Sequence, residues 1–72
     1  MKINIGWINK NSEEEIQTKK FDSYMDAIRW CRMHPDNISL INGTRFKLCF
    51  GGIVSPIKEL DHFEIMRALE RR

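Results

Sequence analysis

Apolar and polar residues alternate from the first positions. In 2–8 (KINIGWI), Ile3, Ile5 and Trp7 fall on one side and Lys2, Asn4 and Gly6 on the other. That period of two predicts a half-buried strand. The polar run 9–15 (NKNSEEE) is rich in turn formers and reads as a loop. Residues 15–21 (EIQTKKF) alternate weakly through Ile16 and Thr18. They read as a polar edge strand, with Lys19 and Lys20 discouraging edge-to-edge pairing.

The period then changes. Tyr24, Ala27, Ile28 and Cys31 recur at i, i+3, i+4, i+7, the apolar stripe of a helix. Ser23, with Asp26 three residues on, has the pattern of a capping box at its start. Pro35 ends the helix by removing a donor and biasing His34 away from helical angles. Residues 38–50 (ISLINGTRFKLCF) predict a hairpin around Asn42-Gly43. A two-residue loop pairs Ile41 with Thr44 and places Leu40 with Arg45 and Lys47. A three-residue loop with a bulge at Gly43 gathers Ile38, Leu40, Phe46, Leu48 and Phe50 on one face. The second alternates more cleanly and is the register expected.

Gly51-Gly52 marks a break after that strand, and Ser55-Pro56 reads as the start signal of a turn or short helix. Asp61 caps a second helix, with Glu64 three residues on. Ile65, Met66 and Leu69 form its buried stripe, and Leu60 can staple onto Ile65. The fold expected over 1–72, a single domain, is a ββαββα two-layer sandwich. It has a four-stranded, mainly antiparallel sheet with two helices on one face.

Composition narrows the function classes. The 72 residues carry a net charge of +2, with 42% hydrophobic and 31% charged residues. A core of this size supplies only ~3–5 kcal/mol, so homodimerisation would help. No apolar run approaches a membrane span, and 1–11 lacks the apolar core of a signal peptide. A cytoplasmic location and two reduced cysteines are expected. No cofactor is expected.

Cys31-x-x-His34 is the one short-spaced pair of soft ligands, with Cys49 and His62 elsewhere. Cys31 belongs to the apolar stripe and Cys49 to the opposite side of a sheet, so no metal site is expected. No catalytic residue is expected either. Cys49 has no histidine placed beside it, and Gly51-Gly52 lacks the Lys-Ser/Thr of a phosphate loop.

Two binding readings are left. On the first helix, Met33 points directly away from the stripe, with Asp26 and Arg29 on either side of it. Trp30 sits on one shoulder, and Met25 and Arg32 on the other. Met25, Arg29, Trp30, Arg32 and Met33 are of types enriched at the cores of protein interfaces. They predict a protein partner. The chain would then be a small non-enzymatic inhibitor, adaptor or regulator. In size and build alone it resembles small phage-encoded inhibitors, anti-CRISPR proteins among them; no motif carries that likeness. The alternative is a nucleic-acid-binding regulator. It would use Lys19, Arg45 and Lys47 on the open sheet face, with helix arginines including Arg67, Arg71 and Arg72.

Overall fold

The computed structural model describes residues 1–71. Strand β1 (Lys2–Ile8) pairs antiparallel with β2 (Glu14–Lys20), Ile3 opposite Lys19 and Gly6 opposite Ile16. Helix α1 (Tyr24–Met33) follows, and the Ser23 hydroxyl accepts from the Asp26 N–H at 3.2 Å. Strand β3 (Ile38–Ile41) pairs antiparallel with the other side of β1, and β4 (Thr44–Arg45) with β3. The four-stranded sheet therefore runs β2-β1-β3-β4. Strands β5 (Lys47–Phe50) and β6 (Ile53–Pro56) form a separate two-stranded hairpin. Helix α2 (His62–Glu70) closes the described chain, with the Asp61 carboxylate accepting from the Glu64 N–H at 2.8 Å.

This is the expected α+β class, with both helices on the Ile3 and Ile5 side of the antiparallel sheet. The buried residues form one cluster. Ile3 and Ile5 come from β1, Ala27, Ile28 and Cys31 from α1, and Ile38 and Ile41 from β3. Phe46 follows β4, and Ile65, Ala68 and Leu69 come from α2. The stripes read from the sequence hold, with one exchange at each helix. Tyr24 is exposed, and Ala68 rather than Met66 is fully buried.

The hairpin after α1 departs from expectation. Its turn is the two-residue one: Ile41 pairs with Thr44 and Leu40 with Arg45. Asn42 and Gly43 both take left-handed angles, φ 48° and 87°, as a tight reversal of this kind requires. The cleaner alternation lost because β3 is bulged. Trp7 pairs with Ile38 but its neighbour Gly6 pairs with Leu40, leaving Ser39 as an extra residue. The bulge lets Ile38 and Ile41, three apart, both face the helices. Ser39 falls on the opposite face, beside Gly6, buried and with no hydrogen-bond partner for its hydroxyl among the described residues. Its carbonyl accepts from the Phe46 N–H at 2.7 Å. That bond is the last of the ladder: the Phe46 carbonyl accepts instead from the Ile57 and Lys58 N–H groups, and its side chain is buried in the core.

A second correction follows at Pro56. Residues 53–56 do not open a helix; they return along β5 around Gly51-Gly52. Counted from that turn, Phe50–Ile53 and Leu48–Ser55 are the pairs that exchange backbone hydrogen bonds. Pro56 then sits where its missing N–H would have pointed outward, which an edge strand tolerates.

The sheet face away from the helices is partly covered by its own side chains. A Cβ on Gly6 would lie 3.0 Å from the Ser39 hydroxyl and 3.1 Å from Leu40 Cβ. The absence of a side chain there lets Ile16 and Leu40 close over β1 from both neighbours.

Candidate functional site

Met25, Arg29, Arg32 and Met33 stand on the solvent side of α1, and the core makes no use of them. Met25 is 61% exposed and Met33 70%. Arg29 lies 3.8 Å from Asp26, one turn away, and Arg32 makes no ion pair among the described residues. The surface is not the helix alone. A groove of about 360 Å³ runs beside Met25, Ile28, Arg29 and Met33 to His62 of α2. An apolar groove of about 190 Å³ continues it, lined by Tyr24, Ile28, Met66 and Leu69, with Glu70 at its end. Met25, Ile28 and His62 belong to both grooves. His62 and Met66 therefore join the surface from the second helix. The helical stripe places Met66 in the core, and the sequence presents His62 only as a possible metal ligand; antiparallel α1/α2 packing is what brings them there, and a single stripe pattern does not encode it.

Trp30 does not belong to this surface. It folds back toward the sheet, half-buried, with its ring centroid 6.3 Å from Trp7 and 6.4 Å from Phe21. The His34 ring lies 4.7 Å away at the helix end. The shoulder position of Trp30 leaves both directions open to a long side chain. Here the apolar ground beside Trp7 and Phe21 is richer than solvent.

The three cations of the nucleic-acid alternative are not brought together. Lys19 pairs with Ile3 and so lies on the helix side of the sheet, where its Nζ sits 4.7 Å from the Trp30 ring centroid. Arg45 reaches Glu14 with two hydrogen bonds, 2.6 and 3.2 Å long. Lys47 donates to the Pro35 carbonyl at 3.1 Å and also to that of Asp36. The expected common face required one unbroken strand from Thr44 to Phe50, and the break at Phe46 removes it. Arg71 is engaged as well, donating to the Gly43 carbonyl at 3.3 Å. Arg72 lies outside the described residues.

A cleft of about 640 Å³ opens between the 9–13 loop and β5, with Glu14, Arg45 and Cys49 among its lining residues. Arg45 holds the Glu14 carboxyl below its ordinary value against an opposing effect of partial burial. The Cys49 thiol is turned to the Ser12 carbonyl. The other potential ligands are scattered. Cys31 is in the core, where burial pushes its thiol up to about 11. His34 stacks on Trp30, and His62 begins α2. The described residues gather no group of three His, Cys, Asp or Glu.

No protein-family model, no curated protein and no solved structure matches this chain. The geometry defines a small α+β chain whose helical layer carries an exposed methionine- and arginine-bearing groove. No described helix is long and apolar enough to cross a membrane.

Proposed function

We propose that the protein is a non-enzymatic binding module that acts by occupying a protein surface, as an inhibitor, adaptor or regulator. The observation that carries this reading is the outer side of α1. Met25 and Met33, two flexible apolar side chains, stand exposed with Arg29 and Arg32 between them along the helix, beside a groove shared with α2. Exposed methionines adapt to varied apolar partners, and arginine pairs well with carboxylates at an interface rim. A helix face serving only solubility would carry Glu, Lys and Gln.

Affinity capture from the native host, followed by mass spectrometry, tests the reading. Met25→Asp with Met33→Asp should remove a specific partner while the circular dichroism of the fold persists. Equal capture by that variant defeats it. Nucleic-acid binding is the weaker reading, since Lys19, Arg45 and Lys47 are each engaged in different places. A mobility shift on random DNA and RNA at two salt concentrations would reinstate it if binding were tight and steeply salt-dependent.

A further inference from the structure

The helical groove has two chemically different ends. Along α1, Tyr24 and Arg32 are eight residues apart, about 12 Å at helical rise. At the Tyr24 end the groove finishes on Glu70 of α2. At the Met33 end it finishes on Arg29 and Arg32. Between them lie the apolar surfaces of Met25, Ile28 and Met66. Glu70 and Arg32 are exposed, and neither makes an ion pair within the described chain. They lie too far apart along the groove to satisfy each other in one copy.

A surface with an acid at one end, a base at the other and an apolar middle is complementary to itself. A two-fold axis through the middle of the groove exchanges its ends. It brings Arg32 of one copy to Glu70 of the other, twice, and lays the apolar stretch between them against its own copy. This is the isologous arrangement of the commonest oligomers, in which one patch serves both sides. A wholly acidic partner would suit the arginine end and be repelled by the Glu70 end. The exposed edge of β6 offers a poorer self-association surface, because Pro56 denies it a donor.

We infer that the occupant of this groove is a second copy of the chain, in a symmetric dimer held by Arg32–Glu70 contacts across the two-fold axis. The inference rests on the helical layer being the contact face, and it names the first partner that face takes. A foreign partner using the same face would have to open the dimer.

Sedimentation equilibrium with charge exchange tests it. The wild-type chain should sediment as a dimer at about 100 μM, well above a micromolar dissociation constant. Arg32→Glu alone and Glu70→Arg alone should each weaken dimerisation about tenfold or more, by placing like charges together. Mixing the two variants should restore a dimer of near wild-type affinity, because both cross-axis contacts are then attractive. Both positions are exposed, and circular dichroism checks that each variant folds. A monomer at every concentration, single variants that dimerise as the wild type does, or a mixture that stays monomeric would each overturn the inference. A monomer whose Met25→Asp/Met33→Asp variant still loses its captured partner leaves the binding reading standing and removes only the dimer. A charge-dependent dimer with capture unaffected does the reverse.

Discussion

The hairpin closed by Asn42-Gly43 and the hairpin closed by Gly51-Gly52 turn through nearly the same backbone angles, φ 48° and 87° in one and 52° and 84° in the other. Their surroundings could hardly differ more. In the first, Ile38 and Ile41 are fully buried. The Asn42 side chain donates to the Ala68 and Arg71 carbonyls, 2.8 Å each, binding the turn to the end of α2. In the second, all of β6 is exposed, and Phe50 and Ile53 stand 73% and 70% exposed beside the turn. Nothing lies within 4 Å of where a Cβ on Gly51 or Gly52 would be. Turn chemistry decides where a chain reverses. Burial decides whether the reversal is held in one register and how much stability rests on it.

Large-to-small substitution separates the two most sharply. Phe46→Ala, in the core at the root of the first hairpin, should cost ~3–5 kcal/mol in urea unfolding. Phe50→Ala on the second should cost no more than about 0.5 kcal/mol. Similar costs would mean that the second hairpin packs against something in solution. The turns come next. Asn42→Ala removes two hydrogen bonds and a residue tolerant of left-handed angles, and about 2–3 kcal/mol of global stability should go with them. Gly52→Ala meets a similar local penalty of ~1–2 kcal/mol. It should appear as faster amide exchange confined to residues 47–56, with the global midpoint nearly unmoved. A large global loss in that variant would erase the distinction.

The smallest effect is at the junction of the two hairpins, where Glu14 holds Arg45. The carboxyl's native value is lowered, so the stability from this pair is present above its ordinary range and is lost as pH falls through the lowered value. Wild type should exceed Glu14→Gln by less than about 1 kcal/mol at neutral pH. The gap should close in acid, as followed by urea midpoints across pH. A gap independent of pH would assign the effect to packing instead.

The same contrast explains what the sequence made legible. Strand β1 and both helices were readable because each obeys one period throughout, and each helix carries its own cap, Ser23 for α1 and Asp61 for α2; β2 was legible only from a weaker alternation between polar neighbours. The first hairpin was located by Asn42-Gly43, but its register was not. The bulge at Ser39 shifts the alternation by one, and its cause lies in the pairing with β1, about thirty residues earlier. Pattern within a segment cannot report a partner strand's requirements. The second hairpin was missed because Ser-Pro is a common helix opening, and an exposed strand lacks the buried alternation that would have outweighed it. At the candidate site, the outward turn of Met25, Arg29, Arg32 and Met33 followed from helical spacing alone. The inward fold of Trp30 did not, since it depends on Trp7 and Phe21 arriving from other elements.

The cluster that holds Trp30 also fixes what light can report about this molecule. Trp7 and Trp30 are its two tryptophans, and they touch edge to face at one corner of the sheet. The hairpin of residues 47–56 holds no tryptophan or tyrosine. Intrinsic emission will therefore follow the seam between α1 and β1 and be blind to that hairpin. An optical melt will record a single event even where the hairpin has already let go.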